Sequence, residues 1–127
     1  MKVVLVTGGF DPLHSGHIEY FKEAKKLGNK LIVGVNSDDW LTRKKGRPFM
    51  PFNERMSIIK ELSCVDKVIG FNDEDDSACH AIFHTLSTHA DIKLIFANGG
   101  DRTNTTTPEY ATYGDMPYVD FAFGVGG

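Results

Sequence analysis

The chain has 127 residues, 41% of them hydrophobic and 24% charged, with 14 basic against 17 acidic side chains and a formal net charge of −3. That length holds one core of ordinary size, and a slightly acidic balance argues against a nucleic-acid binder that works through a basic surface. No apolar run reaches membrane-spanning length and the first residues read as a core strand rather than a signal peptide, so a cytoplasmic protein with neither nucleic acid nor membrane as partner is expected. Cys64 and Cys79 form no metal-ligand spacing and no disulfide framework, in keeping with a reducing compartment.

The run Lys2-Val3-Val4-Leu5-Val6-Thr7 is nearly all apolar and predicts a strand over 3–7 buried on both faces, as in a parallel sheet. The stretch Gly8-Gly9-Phe10-Asp11-Pro12-Leu13-His14-Ser15-Gly16-His17 then hands the strand over to a helix. Over 17–27 the apolar residues Ile18, Tyr20, Phe21, Ala24 and Leu27 recur at helical steps, and Gly28-Asn29 reads as a left-handed cap. A buried strand over 31–35 leads through Asn36-Ser37-Asp38-Asp39 into a short helical piece, followed by a basic loop, Arg43-Lys44-Lys45-Gly46-Arg47-Pro48.

Asn53 is placed as the cap of a helix carrying Met56, Ile59 and Leu62, with a strand around 67–69 after it. The acidic run 72–76 reads as a solvated loop that caps a helix over 77–89; it lacks the spaced ligands and central glycine of a calcium loop. A strand over 93–97 ends at Asn98-Gly99-Gly100-Asp101-Arg102, the polar stretch 102–117 reads as a long loop, and a last strand covers 118–123. Alternating strands and helices predict an α/β protein with a parallel sheet.

The stretch 8–17 is suited to phosphate. A helix start offers unpaired N–H groups and the positive end of the macrodipole, and glycines let the backbone approach an anion. His14 and His17 add two imidazoles, with Gly16 between them read as leaving room for a ligand. In doubly wound sheets the ligand lies where the strand order reverses, so if the first and fourth strands are neighbours, Gly8-Gly9 and Gly99-Gly100 face each other across one crevice. His80 and His84 stand one turn apart but lack a third ligand and read as surface residues. A dinucleotide-binding reading with Asp38 on the ribose fails, because the glycines do not follow G-x-G-x-x-G.

These residues resemble the signature G-x-F-D-x-x-H-x-G-H of the cytidylyltransferase-like nucleotidyltransferase superfamily, the HIGH superfamily, with Phe10, Asp11, His14, Gly16 and His17 in the fixed positions after the glycine turn. The likeness extends through 31–38, Lys45-Gly46-Arg47-Pro48, Asn53-Glu54-Arg55 and 65–69, which look like their counterparts in glycerol-3-phosphate cytidylyltransferases and in the domain that makes ADP-heptose. It implies a Rossmann-like, five-stranded parallel sheet with helices on both faces, forming a single nucleotidyltransferase domain over 1–127. It implies that a phosphorylated small molecule attacks the α-phosphorus of a nucleoside triphosphate and pyrophosphate leaves.

By the same resemblance His14, His17 and Lys45 are catalytic, and Thr7, Gly8, Gly9, Phe10, Asp11, Gly16, Gly99, Gly100 and Asp101 bind the nucleotide. Lys44, as the near alternative to Lys45, and Arg55 hold phosphate. Mg2+ accompanies the triphosphate, and the protein is a homodimer. CTP is put slightly ahead of ATP, with a sugar or polyol phosphate as acceptor. The alternatives are an adenylyltransferase of the heptose-phosphate type, favoured by Gly99-Gly100-Asp101, and a nucleotide-binding module without turnover. Relatives carry a second signature, R-T-x-G-I-S-T-T, after the fifth strand. Here 124–127 stand where it should begin, so the domain is expected to lack a carboxyl-terminal helix; Arg102-Thr103-Asn104-Thr105-Thr106-Thr107 has similar chemistry one strand too early.

Overall fold

A computed structural model of the chain describes residues 1–99 and 107–126. In chain order these form β1 (Lys2–Gly8), α1 (Ser15–Lys25), β2 (Lys30–Val35), α2 (Asp38–Lys45), α3 (Phe52–Ile59), β3 (Lys67–Gly70), α4 (Cys79–Thr88), β4 (Lys93–Gly99), α5 (Pro108–Tyr113) and β5 (Val119–Val125). The strands pair in parallel in the order β3-β2-β1-β4-β5. The chain therefore builds outward from β1 to β3, returns, and builds outward again on the other side.

Both faces of the sheet are covered, because successive side chains of a strand point to opposite sides. Val3 and Leu5 of β1 pack with Ile32, Phe96, Ala81, Ile82 and Tyr113 beneath α4 and α5. Val4 and Val6 pack with Phe21, Ala24, Val33 and Ile59 beneath α1 and α3. All four β1 side chains are fully buried, each contributing roughly 1.5–3 kcal/mol, which makes β1 the central strand. This is the Rossmann-like five-stranded sheet that the alternating pattern and the resemblance predicted.

The ladder between β1 and β2 runs on to Gly8 and Val35, whereas that between β1 and β4 ends at Leu5 and Phe96. Past that point β1 and β4 part. The Tyr20 hydroxyl of α1 reaches into the fork and donates to the Ala97 carbonyl at 2.7 Å. The fork lies at the carboxyl ends of the strands, where the order reverses, and opens the cleft described below.

Several local expectations are corrected. Gly28 is not in the left-handed region; its need is for space, since a Cβ there would lie 2.8 Å from the Lys2 carbonyl. Asn53 does not cap α3, which begins at Phe52 behind Pro51 with no side-chain cap. The acidic run does not cap α4 either: Asp75 turns onto Ser77, accepting from its N–H at 3.0 Å and its hydroxyl at 2.9 Å. Within that run Asp73 is buried rather than solvated, accepting from the Asn36 amide and from the N–H and hydroxyl of Ser37. The polar stretch after β4 contains a helix, α5, whose start is signalled by Thr107 as cap and Pro108 in the first turn.

Candidate active site

The two histidines fix each other. His14 caps α1 and accepts the Gly16 N–H on Nδ1 at 3.0 Å, while His17, in the first turn, accepts the His14 N–H on its own Nδ1 at 3.2 Å. This is a capping box built from imidazoles. A neutral imidazole that accepts at Nδ1 carries its proton at Nε2, so each ring's donor is assigned to Nε2–H, away from the helix backbone. The rings stack with centroids 4.0 Å apart. Burial, and secondarily the neighbouring His14, hold His17 below the ordinary histidine value, which favours this neutral form. Gly16 serves the box rather than a ligand: a Cβ there would lie 2.8 Å from the His14 ring. Phe10 supports His17 from beneath, edge-on at 5.2 Å, with a left-handed backbone at φ 52°. That conformation costs about 1–2 kcal/mol, offset by burial of the ring.

The basic residues divide differently from the sequence expectation. Arg43, Lys44 and Lys45 ride on the last turn of α2 rather than in a loop, where they complement the negative end of the helix dipole. Lys45 is turned onto Asp11, at 2.8 Å from the carboxylate and 2.6 Å from the backbone carbonyl. Asp11 in turn accepts the N–H groups of Phe49 and Met50, and its side chain is fully buried. Burial pushes the Asp11 carboxyl up, but Lys45 and the two N–H groups outweigh it and hold it below the ordinary value. Asp11 is thus a brace for the 49–50 turn, not an open nucleotide ligand.

Arg55 is corrected most clearly. It is fully buried, and its guanidinium donates to the carbonyls of Met50, Gly9 and Asn36 and to the Asp38 carboxylate at 2.6–2.9 Å. With four of its five N–H donors spent on the protein and no surface exposed, it is a structural hub rather than an open phosphate ligand. Arg43 is likewise held by Asp76 and the Asp73 carbonyl. Lys44 borders both cavities of the ligand space, its ammonium 4.6 Å from the centre of the Trp40 ring.

Two adjoining cavities meet at His17, Trp40 and Lys44. One, about 330 Å³, fills the β1/β4 fork and is bordered by Thr7, Gly8, Gly9, Phe10 and Gly99 on the strand ends and by Glu109 of α5. The other, about 470 Å³, lies over the histidine turn and is bordered by His14, Asp11 and Lys45. The structure therefore gathers His14, His17, Thr7, Gly8, Gly9, Phe10, Gly99 and Lys44 around one continuous cleft. Gly100 and Asp101, and the threonine loop through Thr106, lie outside the described residues. Sequence reasoning missed Asn98 and Glu109 on the far side of the cleft; only the Thr-Pro-Glu helix start signalled the second.

The domain model described as cytidylyltransferase-like matches residues 5–118. The chain belongs to the cytidylyltransferase-like family. It is 43% identical over 114 residues to the bifunctional protein HldE of Erwinia tasmaniensis, an alignment covering 79% of this chain and 23% of that protein. It is 47% identical to HldE of Escherichia coli O1:K1 / APEC, with 24% of that protein covered. The chain spans about a quarter of the length of these curated relatives. Among solved structures, the lipopolysaccharide core biosynthesis protein of Thermoplasma volcanium GSS1 superposes with a TM-score of 0.73 at 31% identity, covering 97% of this chain and 95% of that one. Membership makes the chain a nucleotidyltransferase. No helix of the described residues is long and apolar enough to cross a membrane.

Proposed function

We propose that this cytidylyltransferase-like chain transfers an adenylyl group from ATP to a heptose-type sugar phosphate. The acceptor's phosphate oxygen attacks the α-phosphorus, the bond from that phosphorus to the bridging oxygen of the β-phosphate breaks, and pyrophosphate leaves. The expectation that CTP leads is set aside in favour of the alternative, because the HldE relatives belong to the ADP-heptose branch that Gly99-Gly100-Asp101 resembles.

The observation that carries the reading is the histidine pair. Two neutral imidazoles locked through Nδ1 leave two Nε2–H donors at the positive end of α1, beside Lys44. Donors fixed before the substrate arrives stabilise growing charge on the leaving pyrophosphate without reorganising. The attacking phosphate is already anionic, so alignment and charge neutralisation suffice and no strong base is needed. Magnesium finds no resident cage: among the described residues no three His, Cys, Asp or Glu side chains cluster for it, and Asp11 is closed by Lys45. An ion held chiefly by the nucleotide's own phosphates fits this donor set.

The test is pyrophosphate release with ATP or CTP against a heptose 1-phosphate and glycerol 3-phosphate. Turnover with ATP and the heptose phosphate is expected. Turnover only with CTP and glycerol 3-phosphate would reverse the assignment, and binding without release would leave a nucleotide-binding module.

A further inference from the structure

The cavity in the β1/β4 fork has two chemically unlike walls. Its phosphate-facing donors among the described residues, the neutral His17 imidazole and the Lys44 ammonium, stand together, while the opposite wall presents a buried amide, Asn98, and a buried carboxylate, Glu109. Asn98 sits where the β4–β5 register slips, between the pairs Ala97 with Ala122 and Gly99 with Val125; such a bulge re-aims a side chain out of the regular alternation. Its Nδ2 is buried with no hydrogen-bond partner among the described residues, whereas buried amide donors in folded proteins nearly always have one. Glu109 spends one oxygen accepting the Ala78 N–H at 3.1 Å. Nothing among the described residues donates to the other oxygen.

We propose that Asn98 and Glu109 form a hydroxyl-reading pair that takes the uncharged, hydroxyl-bearing part of a ligand whose phosphates lie at His17 and Lys44; this rests on the nucleotidyl-transfer reading of the cleft. A carboxylate only accepts and an amide NH2 donates, so together they match a hydroxyl, which does both. The carboxylate also repels phosphate, so the pair fixes the direction in which the ligand lies as well as its chemistry. The hydroxyls have two sources, the ribose of the nucleotide or the sugar of the acceptor.

Calorimetric titration of the wild-type chain, Glu109→Gln and Asn98→Ala with Mg-ATP, a heptose 1-phosphate and inorganic tripolyphosphate separates these. Glu109→Gln keeps an oxygen for the Ala78 N–H, so its melting temperature is expected to match the wild type. Asn98→Ala removes an amide nitrogen that has no partner among the described residues and provides a second folded variant. Each variant is expected to lose at least tenfold in affinity for one hydroxylated ligand while binding tripolyphosphate as the wild type does. Loss for ATP assigns the pair to the ribose, and loss for the heptose phosphate to the acceptor. Unchanged affinities, or an equal loss for tripolyphosphate, would overturn the pair while leaving the transferase reading intact. A wild type that binds neither ATP nor the heptose phosphate would overturn the transferase reading and the pair with it.

Discussion

The histidine turn and the Arg55 hub both stabilise the rim of the cleft, yet one is held by neighbours in sequence and the other by residues far away. His14 and His17 bond groups two and three residues from themselves. Arg55 gathers carbonyls 46 and 19 residues away and a carboxylate 17 away, joining the turn after β1, the end of β2 and the start of α2. The local device aims its outward donors at the cleft; the distant one commits four of its five N–H donors to the fold. A cation in a family motif is therefore not by itself a ligand group: its partners decide.

The sharpest way to break this contrast is Arg55→Met, which strands three carbonyls and Asp38 around an apolar side chain. A loss of about 3–5 kcal/mol in urea unfolding is expected, and Arg55→Lys should recover little, because one ammonium cannot replace a planar fork of donors. A variant of normal stability with weakened phosphate binding would return Arg55 to the ligand.

His17→Ala should show the opposite profile. A fall of about 10²–10³ in kcat is expected from losing a fixed donor, against about 1 kcal/mol of stability from the broken cap. Near-normal turnover in a steady-state pyrophosphate assay would remove the histidine from the mechanism.

The adjacent lysines sharpen the same contrast. Lys45→Ala uncovers the buried Asp11 carboxylate and should cost about 1–3 kcal/mol by thermal or urea denaturation. Lys44→Ala should leave the melting temperature unchanged and raise KM for a phosphate substrate by about tenfold, roughly 1.4 kcal/mol of binding. Reversed profiles would make Lys45 the catalytic cation and Lys44 a surface residue.

The smallest effect concerns acid. Burial raises the carboxyls of Asp11, Asp66 and Asp73, but Lys45 beside Asp11, Lys25 beside Asp66 and the Asn36–Ser37 donors around Asp73 outweigh it, leaving each below 3.8 in the fold. A depressed folded-state value stabilises above the unfolded one and loses that contribution as pH falls through the folded value. Stability should therefore drop below about pH 4, and Asp73→Asn should flatten that part of the profile. His17 acts in the same direction at higher pH, since its lowered value makes the fold resist a proton that the unfolded chain takes up below 6.5.

The parallel sheet was legible because 3–7, 31–35 and 93–97 are nearly continuous apolar runs, and burial on both faces leaves few other arrangements. The helix α5 was missed although Thr107, Pro108 and Glu109 form a start signal, because the threonine-rich stretch before it drew the whole segment into a loop. Asp73 looked solvated among other acids, and its burial follows only from the position of Asn36 and Ser37 at the end of β2.

By itself, then, the sequence determined the α/β class, the family and the histidine turn, since apolar periodicity and a capping box act within a few residues. The tertiary structure decided which charges remain available. Lys44 faces the cleft while Lys45 and Arg55 are neutralised within the fold, and Asn98 and Glu109, distant in sequence, border one cavity. Those outcomes depend on which distant carbonyls and carboxylates the sheet brings within hydrogen-bond range, and a linear pattern carries no record of that.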